Sequence, residues 1–265
     1  MASSEAWWSA IGAWMGEGGA WIGGATRRAL TRARATARVG LVSESTPSPS
    51  AAAAALPVLD PEVVKALTSA PTAVLSDALG RWGNMDPAIR PVAAGMQCFG
   101  PAFTLRCWPA DNLTIHRAVE LAAHGDVLVI DAGTGRDTAL LGDILVYAAR
   151  LRGVAGIVLQ GLVRDSAALA AQGLPVFASG ATARGPVKET LGPVRVPIQC
   201  GGVLVRPGDL VAGDDDGVVV IPREQASAVA ERIRVIHERE EQVKKALAAG
   251  HTTVDILGLR AKLPQ

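Results

Sequence analysis

DVLVIDAG (126–133), TALLGDILVYAARLRG (138–153) and AGIVLQG (155–161) follow one another in the middle of the chain. The first and third are short, unbroken runs of Val, Leu and Ile, the mark of strands covered on both faces. The segment between them has apolar residues at helical spacing, so the three read as strand, helix and strand. Such a unit is right-handed and its strands are parallel. Outward toward the N-terminus, PEVVKALTSA and TAVLSDALGRWG predict two helical stretches near 61–82. FGPAFTLRCW (99–108) reads as a strand, and NLTIHRAVELAAHG (112–125) as a helix stopped by glycine. Outward toward the C-terminus, DSAALAAQG predicts a helix, and LPVFA, VPIQC, VLVRPGDLVAG and GVVVIP short strands; residues 223–250 form a charged helix. A βαβα centre followed by strand-rich sequence implies an α/β domain built in layers.

The chain has 265 residues, 49% of them apolar and 19% charged, which suits a packed core. Its 26 basic and 25 acidic residues leave a net charge of +1, so overall charge gives no reason to expect nucleic acid or a membrane surface as the main partner. Cys98, Cys107 and Cys200 lie far apart, which argues against a disulfide framework or a cysteine zinc site. Residues 1–56 differ in kind. Four tryptophans (Trp7, Trp8, Trp14, Trp21) precede five arginines between Arg27 and Arg38, and a Ser/Pro/Ala stretch follows. The expectation is an extension with no packing pattern, or upstream sequence translated from an early start codon; the competing reading is an interfacial anchor. The domain itself is expected over 57–265, in the cytoplasm and without integral membrane contact.

Most familiar catalytic motifs are absent. DAGTGRD (131–137) sits where a dinucleotide fingerprint would, but Thr138 occupies the place of the third glycine. The four histidines (His116, His124, His237, His251) have no zinc spacing and read as surface or helix-end residues. No serine lies in a G-x-S-x-G elbow. GDDDG (213–217) reads as a tight turn between two strands, with Asp216-Gly217 in the turn, not as a calcium loop.

One pair of segments carries chemistry. Gly142 to Leu145 open the central helix, and Arg164-Asp165 follow the end of the next strand. In a βαβ unit those two places share one sheet edge. A helix start offers N–H groups to an anion, Arg164 a planar cationic fork, and Asp165 a hard oxygen donor for Mg²⁺ or Mn²⁺. A plain Arg–Asp ion pair closing the loop explains the same residues equally well.

TAVLSDAL (72–79), MDPAIRPV (85–92), GPAFTL (100–105), GDIL (142–145), GLVRD (161–165) and GDLVAGDDDGVVVIP (208–222) together resemble a known family. It comprises the class II aldolases for 4-hydroxy-4-methyl-2-oxoglutarate and 4-carboxy-4-hydroxy-2-oxoadipate, with the regulator of ribonuclease activity A proteins. The resemblance covers about residues 60–258. It implies a layered β/α sandwich of the phosphohistidine-domain-like kind, and homotrimers or hexamers with sites at subunit interfaces. It also implies a divalent cation, Mg²⁺ or Mn²⁺, held by Asp165, and substrate held by Gly142, Asp143, Ile144, Leu145 and Arg164. Arg164 and Asp143 would be catalytic, and a C-terminal glutamate of a neighbouring subunit would complete the site, with Glu240 the candidate and Glu238 and Glu241 adjacent alternatives. The implied reaction is cleavage of a 4-hydroxy-2-oxo diacid to pyruvate, with oxaloacetate decarboxylation through the same enolate. Lysine is scarce, with Lys188 alone between residues 66 and 243, which disfavours a Schiff-base route. The family motif R-D-x-x-[E/D] ends here in Ala168, so decarboxylation is expected to gain on aldol cleavage. The alternative is a non-catalytic module that docks on a ribonuclease or another protein.

Overall fold

The structure, a computed structural model, describes residues 58–133 and 137–263; expectations for residues 1–56 lie outside the described residues. Two helices open the described chain, α1 (Pro61–Ser69) and α2 (Thr72–Ala78), followed by strands β1 (Arg90–Pro91) and β2 (Cys98–Arg106). Then come α3 (Leu113–Leu121), β3 (Val127–Asp131), β4 (Ala139–Leu141), α4 (Asp143–Leu151), β5 (Gly156–Val163), α5 (Ser166–Gln172) and β6 (Val176–Ala181). Strands β7 (Ile198–Cys200), β8 (Val203–Val205), β9 (Leu210–Asp214) and β10 (Gly217–Ile221) precede the long α6 (Ala226–Ala248) and the short α7 (Thr253–Ile256). Local chemistry starts the first helices. Asp60 caps α1 by accepting from the Glu62 N–H at 2.8 Å, with Pro61 in the first turn. Thr72 ties α2 to the end of β9, its N–H and hydroxyl both donating to the Asp214 carboxylate.

The main sheet runs β1-β6-β5-β3-β2-β9-β10, with β4 beside the far end of β5. β2, β3, β5 and β6 are parallel, and β1, β9 and β10 pair antiparallel. Alternation along β3 divides its side chains between two cores. Leu128 and Ile130 pack under α3, α4 and α5, whereas Val127 and Val129 join Val158, Phe177 and Val220 on the opposite face. A third cluster lies between β9–β10 and α1, α2 and α6. The sheet curls until its ends approach: Arg90 of β1 donates to the carbonyls of Asp215 and Asp216 beyond β9. Layered α/β architecture, as the sequence predicts, is what forms.

Two local readings need correction. Residues 138–153 do not form one helix: Ala139–Leu141 make β4, and the helix starts after Gly142. All three β4 residues are buried, and Ala139 and Leu141 pair with Leu162 and Val163, a role that apolar periodicity cannot separate from a buried helical turn. In the β9–β10 turn Asp215 and Asp216 join the strands, so Asp216 lies in the turn as the sequence suggests, whereas Gly217 does not. Asp214 organises it by accepting from the Asp216 N–H at 2.9 Å, and Gly217 already belongs to β10. The three cysteines are free and buried, and burial pushes each thiol up to about 12.

Candidate active site

β4 delivers Gly142 to the start of α4, and β5 delivers Arg164 and Asp165 to the same edge. Gly142 is extended (φ −143°, ψ −175°), a conformation open to any residue. Its missing side chain matters for contact: a Cβ there would lie 2.9 Å from Asp165 Oδ2 and 3.1 Å from Arg164 Nε. A Cβ on Gly185 would lie 2.8 Å from Arg164 Nη1. The Arg164 side chain thus lies against two glycines.

Asp165 sits at the N-cap of α5 in the left-handed region (φ 59°), which Asp and Asn tolerate better than other side chains. It makes no cap bond to its own helix. Oδ2 instead lies 3.4 Å from the Asp143 N–H and 3.4 Å from Arg164 Nε. The Arg–Asp pair foreseen as the plain reading therefore exists, but it is long and half-exposed, a geometry worth little to stability. Asp143 accepts from the Ile144 N–H at 2.7 Å, and Gln172 at the end of α5 donates to the Asp143 carbonyl at 3.0 Å. The Gln172 bond ties the end of α5 to the start of α4.

A half-exposed carboxylate with only long contacts keeps lone pairs for a hard divalent cation, which retains several waters and needs one or two carboxylates. Asp165 fits that role. Among the described residues no group of three or more His, Cys, Asp and Glu converges on a cation site. Glu240 is not near: it lies on α6 in a groove with Asp77, Arg81, Arg239 and Leu257.

A cavity of about 110 Å³ opens from Gly142, Asp143 and Arg164 toward α3. Leu145 is buried beneath it, whereas the Ile144 side chain is largely exposed. Its far wall holds residues the sequence reading passed over: Asn112, His116 and Lys188. His116 is no surface histidine. Burial, and then the Lys188 charge, lower its pKa, so the imidazole is neutral near pH 7. The spacing of Asn112 and His116, one helical turn apart, was a readable signal that both face one side. Lys188 had none, because it rides on the loop 182–197. That loop is fastened to the site: the Ala139 N–H donates to the Arg184 carbonyl, and the Asp111 carboxylate accepts from the N–H groups of Glu189 and Thr190. Burial pushes the Asp111 pKa up, but the N–H donors of Leu113, Glu189 and Thr190, with the Lys188 charge, bring it below its ordinary 3.8. Lys188 is exposed and so lacks the desolvation that a Schiff-base lysine requires.

The RraA-like family model, described as Aldolase/RraA, matches residues 72–220. A protein of Halalkalibacterium halodurans named "Putative 4-hydroxy-4-methyl-2-oxoglutarate aldolase" is 37% identical over 193 residues, covering 73% of this chain and 90% of that protein. Among solved structures, Streptomyces coelicolor RraAS2, described as an unusual member of the RNase ES inhibitor RraA protein family, superposes with a TM-score of 0.61 at 30% identity, covering 72% of this chain and 98% of that one. A protein of Pseudomonas syringae pv. tomato superposes with a TM-score of 0.67 at 28% identity, covering 77% of this chain and 99% of that one.

Proposed function

We propose a lyase function for this chain, which belongs to the RraA-like (Aldolase/RraA) family: divalent-cation-dependent cleavage of 4-hydroxy-2-oxo diacids of the 4-hydroxy-4-methyl-2-oxoglutarate type to pyruvate. The observation that carries it is the contact of Gly142 with both Arg164 and Asp165, beside a cavity that Gly142 and Arg164 line. Asp165 would hold Mg²⁺ or Mn²⁺, and the cation would supply Lewis-acid polarisation of the 2-oxo group. Arg164 directs its planar fork at the carboxylate and at the oxygen that gains charge as the C–C bond breaks. The α4 start, from Gly142 to Leu145, adds a positive dipole end. Oxaloacetate decarboxylation needs the same charge stabilisation and no base for a hydroxyl, so it suits a site with Ala168 where the family motif carries an acid.

A homotrimer or hexamer belongs to this reading, because Glu240 reaches a site like this one only from another subunit. A cytoplasmic setting fits three unpaired thiols. Pyruvate release from 4-hydroxy-4-methyl-2-oxoglutarate, with and without EDTA, is the test: turnover that stops with chelator is expected, and turnover indifferent to it would overturn the mechanism. A docking role on a ribonuclease is the second reading, favoured by Ala168 and by the likeness to the Streptomyces protein of the RNase ES inhibitor family. On that reading calorimetry shows no Mg²⁺-dependent binding of oxalate or pyruvate.

A further inference from the structure

The wall of the cavity opposite Arg164 is chemically unfinished. Asn112 is 5% exposed, and its Nδ2 donates to the Leu140 carbonyl at 2.9 Å. That bond fixes the amide's orientation and turns Oδ1 the other way, where it is buried without a hydrogen-bond partner among the described residues. One turn along α3, His116 repeats the pattern, its Nε2 also buried and unpartnered. Unpaired buried polar atoms are costly, and apolar side chains would fill this wall more cheaply. Two such atoms on one helix face, lining one cavity, point to a ligand that brings the missing partners. The rest of the lining narrows what the ligand is. Ala139, Leu140, Leu141 and Leu145 offer apolar side chains, while Arg164 and Lys188 both border the cavity. Two cations suit two carboxylates.

A hydroxyl group is both donor and acceptor, and this wall presents both complements. Asn112 Oδ1 is an acceptor, and neutral His116 is a donor in its Nε2-protonated tautomer. Residues four apart on a helix are close enough for one oxygen to meet both. We infer that Asn112, His116 and Lys188 form the subsite for the outer half of the substrate. The substrate hydroxyl donates to Asn112 Oδ1 and accepts from His116 Nε2–H, and its far carboxylate pairs with Lys188. This rests on the lyase reading for the identity of the substrate but not for the existence of the subsite. Its consequence is selectivity: hydroxy dicarboxylates should bind better than dicarboxylates without the hydroxyl, and better than hydroxy monocarboxylates.

Calorimetry with malate and succinate tests this without turnover. Wild-type protein is expected to bind malate about tenfold more tightly than succinate, the worth of roughly one well-made hydrogen bond. His116→Leu, which removes an unpaired polar atom, should melt no lower than wild type and should lose that preference. Lys188→Met, on an exposed loop position, should weaken both diacids about tenfold. Equal binding of the two acids by wild type, no binding of either, or a preference that survives His116→Leu would overturn the proposal, leaving solvent as the cavity's occupant. Pyruvate release separates the two readings. Lost preference in a protein that releases no pyruvate removes the lyase and keeps the subsite. Normal release with an unchanged preference in His116→Leu removes the subsite and keeps the lyase.

Discussion

At position 142 the backbone would accept a side chain, and the neighbours would not. Gly142→Ala carries no conformational penalty, because its φ of −143° is ordinary extended backbone, yet the new methyl would press on Asp165 Oδ2 and Arg164 Nε. Both are side-chain atoms that can move, so the fold should survive with its melting temperature nearly unchanged. Displacements near 1 Å at a reacting centre cost about 100-fold. Pyruvate release by Gly142→Ala should fall by about that factor, and near-native release would mean that the contact of these residues is not what catalysis uses. The two charged residues should fail differently. Arg164→Lys keeps a charge but loses the fork, and should cost about 100- to 1000-fold in kcat. Asp165→Asn keeps a side chain that tolerates φ 59°, so the turn stays and the loss is one of cation affinity. Excess Mn²⁺ should partly restore Asp165→Asn and leave Arg164→Lys unchanged in a steady-state assay.

Elements bring these residues together, and here the sequence was partly legible. The convergence of Gly142 with Arg164 follows from the handedness of a βαβ unit, which needs only strand and helix assignments. The loop 182–197 gave no such handle, since its course depends on bonds to distant partners. Asp111 is the main one, just ahead of the helix α3 whose start it also serves through the Leu113 N–H at 2.9 Å. Its pKa lies below the ordinary 3.8, so its contribution to stability is complete above that value and is lost as pH falls through the lower folded value. Thermal melts between pH 5 and pH 3 should show wild type losing stability more steeply than Asp111→Asn at the acid end. Parallel curves would mean that the carboxylate is not what fastens the loop. Lys188 rides on this loop, so the far wall of the cavity inherits its anchoring.

For the molecule as a whole, apolar runs and turn residues were enough to predict the layered α/β architecture, because strands buried on both faces leave little else to be. The two-core division of β3 and the curling of the sheet were not legible: they depend on which strands become neighbours. The proposed assembly has a candidate contact face. Ile144, Tyr147 and Leu151, spaced along one stripe of α4, are 74%, 49% and 67% exposed, and the Arg150 guanidinium lies 5.2 Å from the Tyr147 ring centre. An exposed apolar stripe beginning at the candidate site is where the second subunit of the proposed homo-oligomer would bind. Tyr147→Glu should sediment as a smaller species than wild type and release pyruvate more slowly; an unchanged sedimentation coefficient would place the contact on another face. The buried cysteines carry a different and practical consequence. With every native thiol sealed in the core and held near 12, the folded protein is a blank background for maleimide chemistry at neutral pH. Ala168 is exposed one helical turn after Asp165, so a single Ala168→Cys exchange would place a fluorophore one turn from the proposed cation ligand with no native cysteine removed, and ligand arrival could be followed as light.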